Sequence, residues 1–104
     1  MFKGLGWIMQ NKEEIIQTIK TLHEELGKYN VREIGVFGSV VRGEQKQESD
    51  IDVLVDFEDN ADLFDLVGLG LFLEEKLGRK VDVVPKKALR KEIRDSVLRE
   101  VVPA

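Results

Sequence analysis

Apolar residues recur along this chain with two periods, and each change of period marks a boundary between elements. From Asn11 onward, Ile15, Ile19, Leu22 and Leu26 repeat at helical spacing, and Ile16 widens the stripe. That spacing predicts an amphipathic helix ending near Gly27, a residue suited to a helix C-terminus. Ile34 to Phe37 predicts a short buried strand, broken by Gly38-Ser39. Val40 to Arg42 leaves room for about one helical turn before Gly43. Residues 44–49, Glu-Gln-Lys-Gln-Glu-Ser, predict a polar loop. Ile51 to Phe57 then alternates. Ile51, Val53, Val55 and Phe57 share one face, Asp52, Leu54 and Asp56 share the other, and Asp50 stands at the entry.

Glu58 to Asn60 reads as a turn, and Asp62 as the N-cap of a long helix. Within it Leu63, Leu66, Val67, Gly70, Leu73 and Leu77 make one stripe, and Phe64, Leu71 and Phe72 a second. A helix apolar on two sides is buried on both or covered by a partner. Gly78 ends it. Lys80 to Val84 predicts a third strand stopped by Pro85, and Ala88 to Val102 a last amphipathic helix with Leu89, Ile93, Val97 and Val101 in register. The order helix, strand, turn, strand, helix, strand, helix predicts a small α/β domain with a sheet of three or more strands.

A length of 104 residues with 42% hydrophobic residues fits one domain with a single core. We expect that domain to span 1–104, with residues 1–10 as a candidate N-terminal extension. Phe2, Leu5, Trp7 and Ile8 near the start are interrupted by glycines, a stretch too short for a signal peptide or a membrane span. Trp7 is expected to pack on the domain. The chain has no cysteine, which excludes disulfides and thiolate metal sites and fits a cytoplasmic protein. The net charge of −4 and a pI near 5.1 disfavour direct nucleic-acid binding, which calls for a basic stripe. Lys86, Lys87, Arg90, Lys91 and Arg94 do cluster, but Glu92 and Asp95 interleave them, as on a solvated helix face. A phosphate or an acidic partner is the alternative use of that cluster. His23, the sole histidine, has no Cys or His nearby and reads as structural.

Two short motifs carry candidate chemistry. Gly38-Ser39 follows a buried strand, where a glycine permits a tight turn and close approach of a ligand to the backbone. Backbone N–H groups at the start of the next helical turn suit a phosphate. Alone, the dipeptide is an ordinary strand-to-helix turn with a serine cap. Asp50 and Asp52 lie two apart on a strand and point the same way, about 6.5 Å apart along the chain. Adjacent carboxylates repel and raise each other's pKa, and a hard divalent cation such as Mg²⁺ relieves this. Alone, Asp-x-Asp is as often a solvated strand face. Together, Gly-Ser, ten residues, then Asp-x-Asp would arise in this chain by chance on the order of one time in a thousand. The turn would hold a triphosphate and the acidic strand the metals that bridge it. Asp82, between Val81 and Val83, is the candidate third carboxylate and general base. Asp56 competes for that place but is expected to be solvated or structural.

Gly38-Ser39-Val40-Val41-Arg42-Gly43-Glu44, then Ser49-Asp50-Ile51-Asp52-Val53-Leu54-Val55, resembles the minimal nucleotidyltransferases of the DNA polymerase β superfamily. Leu77-Gly78-Arg79-Lys80-Val81-Asp82-Val83-Val84 is similar to the third acidic strand of that family, and Ile93 to Val102 to its closing helix. The resemblance runs from about residue 12 to 102 and is nearest the MntA-type antitoxins of HEPN/MNT toxin–antitoxin systems. It implies a polymerase β-like domain with a mixed sheet flanked by helices. It implies transfer of AMP from ATP to a tyrosine of a partner HEPN ribonuclease toxin of the HepT type, which silences the toxin. Asp50, Asp52 and Asp82 would then hold two Mg²⁺ ions, and Gly38 and Ser39 would contact the nucleotide phosphates. Arg42 would touch the triphosphate or pair with a site carboxylate, an ordinary surface arginine being the alternative.

Two other functions stay open on the sequence. Nucleotidyl transfer to a small molecule or an RNA end uses the same chemistry, but larger superfamily members bring accessory domains for those acceptors. A non-catalytic antitoxin that blocks its toxin by binding would keep the partner and drop the chemistry, and the intact carboxylates count against it.

Overall fold

The computed structural model describes residues 11–43 and 50–104. Trp7 and the polar loop expected over 44–49 lie outside the described residues.

Helix α1 (Lys12–Thr21) opens on Asn11, whose side-chain oxygen accepts the Glu14 N–H at 2.9 Å. The stripe Ile15, Ile16, Ile19, Leu22 and Leu26 is buried as its spacing predicts. The helix is not continuous, however. Leu22 donates its N–H to Ile19 O, three residues back, which tightens the chain at that point. A short α2 (His23–Leu26) follows the break. Strand β1 (Val31–Phe37) starts three residues before the apolar run, because Arg32 and Glu33 sit at its exposed end. Helix α3 (Ser39–Arg42) is the single turn expected after Gly38.

Strand β2 (Ile51–Phe57) matches its alternation. Helix α4 (Leu63–Leu77) begins in a reciprocal cap: Asp62 accepts the Asp65 N–H, and Asp65 accepts the Asp62 N–H, both at 3.0 Å. Strand β3 (Val81–Pro85), helix α5 (Lys91–Glu100) and a two-residue strand β4 (Val102–Pro103) complete the chain.

Among the described residues the sheet has four strands in the order β3-β2-β1-β4. β1 runs antiparallel to β2 and to β4, whereas β2 and β3 are parallel. The sheet is therefore mixed. The parallel pair is joined through α4, the crossover that parallel strands require. One face is covered by α1, α2 and α4. There Val36, Ile51, Val53 and Val55 pack with Ile15, Ile19, Leu69, Leu73 and Leu77. The other face carries a smaller cluster, Leu54, Leu89 and Val97, with Phe37, Val84 and Val101 at its margin.

Two expectations need correction. In α4 the fully buried line is Leu69, Leu73 and Leu77, while Leu63, Phe64, Val67 and Leu71 are 70%, 86%, 53% and 64% exposed. From Leu66 to Leu73 this helix has no polar side chain, so periodicity cannot choose the inward face there. Contact with α1 and the sheet chooses it. At the C-terminus, the run from Ala88 to Val102 is not one helix. Leu89 and Arg90 are extended, α5 begins at Lys91, and Ile93 is 48% exposed. Val101 is extended too, and Val102 pairs with Val36 on the edge of the sheet. His23 Nε2–H donates to the Ala104 main-chain oxygen at 2.9 Å, a structural bond, and Ala104 N–H donates to Ile34 O at 3.0 Å.

Candidate active site

The predicted residues gather where β1 ends and β2 begins. Gly38 terminates β1 with φ +83° and ψ −152°, a backbone region open in practice only to glycine. A side chain there would also collide with Asp52 Oδ2. The glycine is thus required twice, by its dihedrals and by the closeness of the carboxylate. Ser39 opens α3 and Arg42 closes it, so the turn lies directly beside the acidic strand.

Asp52 stands opposite Asp82 in the parallel register of β2 and β3, and opposite Phe37 on β1. Paired residues on adjacent strands project to the same side, so both carboxylates stand on the less covered face. Asp50 lies one residue outside β2 and is exposed. Its neighbour Ile51 is held by an N–H bond to Lys80 O at 2.9 Å. Burial pushes the Asp52 carboxyl above the usual carboxylate range. The charges of Asp82 and Asp50 push it the same way, Arg42 opposes, and Glu100 adds a smaller push.

Among the described residues no three His, Cys, Asp or Glu side chains cluster closely enough to hold a metal ion by themselves. The carboxylates instead form an open shelf. Such a donor set fits Mg²⁺, which takes a few protein oxygens and keeps positions for waters and substrate phosphates. A divalent cation there would also offset the crowding of negative charge that Asp52 feels.

Arg42 is about half exposed and ion-paired with Glu100. Its Nη1 donates to Glu100 Oε1 at 2.8 Å, and the Gly38 N–H donates to Glu100 Oε2 at 2.7 Å. Burial works against the Glu100 charge, but the Arg42 and Gly38 bonds outweigh it and hold that carboxyl below its usual range.

The model of the nucleotidyltransferase domain family matches residues 13–103. The chain belongs to the nucleotidyltransferase family. It is 50% identical over 91 residues to the protein adenylyltransferase MntA of Thermococcus cleftensis, covering 86% of this chain and 92% of that protein. A solved minimal nucleotidyltransferase superposes with a TM-score of 0.81 at 35% identity, covering 92% of this chain and 98% of the other. A chain of a toxin–antitoxin structure with AMP-PNP superposes with a TM-score of 0.65 at 25% identity, covering 81% of this chain and 70% of that one.

On this nucleotidyltransferase the remaining acidic and basic candidates separate. Asp56 is drawn to the far end of β2, where it pairs with Arg32 at 3.8 Å. It borders a pocket of about 230 Å³ between α5 and the sheet, well away from Asp52. That is the structural role expected of it. The basic cluster is exposed but not on one helix face: Lys86 and Lys87 lie in a short turn, Arg90 is extended, and only Lys91 and Arg94 belong to α5. Two residues at the site are not among the candidates read from the sequence. Arg79 precedes β3 partly buried, with desolvation lowering its pKa and the nearby Asp50 charge opposing that. Glu100 reaches the turn from 62 residues away in the chain. The position of Arg79 in the Gly-Arg-Lys approach to Asp82 hints at the site. Nothing local distinguishes Glu100 from the other acids of α5.

Proposed function

We propose that this protein is a Mg²⁺-dependent protein adenylyltransferase that moves AMP from ATP to a tyrosine of a HEPN-type toxin, as the antitoxin of the pair. The observation that carries this reading is the meeting of three elements at one point: the Gly38 turn, Asp52 against it, and Asp82 in register beside Asp52. Asp50, Asp52 and Asp82 would hold the metal ions, and Gly38, Ser39 and Arg42 would receive the triphosphate. Bound there, Mg²⁺ supplies charge to the phosphate oxygens and lowers the pKa of the attacking hydroxyl.

In the reaction the phenolic oxygen attacks the α-phosphorus of ATP. The bond from that phosphorus to the bridging oxygen breaks, pyrophosphate leaves, and the phenolic proton passes to Asp82. The chain's own part is to align the triphosphate on the turn and to keep the acceptor proton within reach of a carboxylate. The acceptor is read as a partner protein. The exposed ridge of Leu63, Phe64, Val67 and Leu71 offers that partner an apolar surface. The likeness to a toxin–antitoxin chain with AMP-PNP supports both the nucleotide and the partner. Among the described residues no helix is long and apolar enough to cross a membrane. The use of ATP and the lack of cysteine fit the cytoplasm.

The test is direct. Incubated with ATP, Mg²⁺ and the HEPN protein, the chain should add the mass of AMP to a partner tyrosine, read by mass spectrometry. Transfer that persists undiminished in Asp52→Ala would refute the assigned site.

A further inference from the structure

We propose that Glu100 is a positioning residue of the nucleotide turn, acting through Gly38 and Arg42 rather than on the substrate itself. This rests on the reading above, that the turn receives a triphosphate.

The sequence of causes starts at the edge of the sheet. Val102 and Pro103 pair with Val36 and Gly35 on β1. Gly35 makes this possible, since a side chain there would come within 2.6 Å of Val101 Cγ2 and 3.0 Å of Val102 O. The edge pairing holds the last residue of α5 at the same end of β1 as Gly38. Glu100 is that residue, and its carboxylate brackets the turn with both oxygens. One takes the Gly38 N–H at 2.7 Å and the other takes Arg42 Nη1 at 2.8 Å. The bracket therefore holds α3 at both ends, from its N-cap to its last residue. No side chain caps the turn itself; Glu100 instead fixes the N–H of the residue that enters it.

The choice of donors separates positioning from competition. Glu100 bonds the N–H of Gly38, one residue before the helical turn. The donors that suit a phosphate are those of the turn itself. Glu100 thus fixes the conformation that aims those groups without occupying their place. It also holds one guanidinium nitrogen of Arg42, a long side chain whose ordering costs entropy. A charge-assisted bond to each end is the strong kind of hydrogen bond and suits a part whose task is to hold geometry. With these bonds gone, the turn would still form, but the triphosphate would have to order it on binding.

The decisive experiment compares wild type, Glu100→Ala and Glu100→Gln, with Mg–AMP-PNP binding by calorimetry and AMP transfer kinetics measured well below each variant's unfolding temperature. Glu100→Ala should weaken Mg–AMP-PNP binding and raise KM for ATP about tenfold, with kcat changed less than about threefold. Glu100→Gln keeps an acceptor for Gly38 N–H and loses the charge facing Arg42, so it should recover part of that loss. If Glu100→Ala lowers only the unfolding temperature and leaves binding and KM unchanged, the residue is merely structural and the proposal falls. Tighter binding in Glu100→Ala would make Glu100 an internal competitor of the phosphate, which also overturns it. Wild type that binds no Mg–AMP-PNP would overturn both the transferase reading and this one. Wild type that binds, with Glu100→Ala unchanged, would overturn this one alone.

Discussion

The two faces of the sheet are built from the same strands and have opposite characters. On the covered face, β2 contributes Ile51, Val53 and Val55, all wholly buried under α1 and α4. On the other face the same strand contributes Asp52, Leu54 and Asp56, and of these only Leu54 joins a core. Alternation along one strand thus ties a rigid packed layer to a charged shelf at a distance of one residue. The covered layer contributes the stability that the shelf consumes. Asp52 illustrates the conflict, because its surroundings favour the neutral acid while the proposed chemistry needs the carboxylate.

The sharpest way to break this comparison is Asp52→Asn. Transfer should fall by at least about a thousandfold, since a principal metal-binding oxygen is lost. The metal-free protein should nevertheless become more stable at neutral pH. The sign follows from linkage. Burial and then the Asp82 and Asp50 charges raise the folded-state pKa of Asp52 above its unfolded value. Its ionised form therefore costs stability, fully so above the folded pKa, and the cost shrinks as pH falls through the folded pKa and is gone below the unfolded value near about 4. Unfolding followed from pH 8 to pH 4 should show the Asn variant's advantage shrinking. An advantage that grows on acidification would contradict the assigned environment.

Gly38→Ala is next in size and strikes the junction of the two faces. The added methyl meets Asp52 and forces a positive φ on an L-residue. We expect a loss of about 2 kcal/mol in stability together with a loss of transfer of about a hundredfold. Thermal unfolding and steady-state kinetics would read the two losses. Leu73→Ala, on the covered face, should cost about 3 kcal/mol by leaving a cavity among Ile15, Leu69 and Leu77. Its kcat at a temperature where it is folded should stay within about twofold of wild type. A large kcat defect would show that the covered layer tunes the shelf as well as supporting it.

What could be read from the sequence follows the same division. Period-two alternation in Ile51 to Phe57 separates Asp52 from its buried neighbours before any coordinates exist, because a carboxylate on a Val- and Ile-rich strand is conspicuous. Gly38 and Asp82 are readable for a similar reason: each is a residue type at odds with the apolar run around it. The inward face of α4 is not readable, since a helix with apolar residues on two sides gives little contrast between them, and Leu69 can be chosen only by what it packs against. β4 is invisible because two residues carry no period, and its pairing is set by contact with β1. Glu100 is invisible for the same reason. Its meaning depends on where β4 carries the chain's end, a long-range fact absent from its neighbours in sequence.

The smallest expected effect on stability falls on α4, where the comparison takes a different form within one helix. Leu69, Leu73 and Leu77 are wholly buried, and Leu63, Phe64, Val67 and Leu71 face out. An exposed side chain that touches little can be replaced at a cost within about 0.5 kcal/mol. A double change, Phe64→Asp with Leu71→Asp, should therefore leave the unfolding temperature nearly unchanged. A contiguous apolar ridge on a surface marks an interaction site. If the ridge is where the proposed acceptor docks, the same change should raise the concentration of partner needed for half-maximal AMP transfer by tenfold or more, about 1.4 kcal/mol. Mg–AMP-PNP binding, which needs only the shelf, should be unaltered. Were the partner modified as efficiently by the double variant as by wild type, docking would have to be sought elsewhere, and the apolar outer face of α4 would need another explanation.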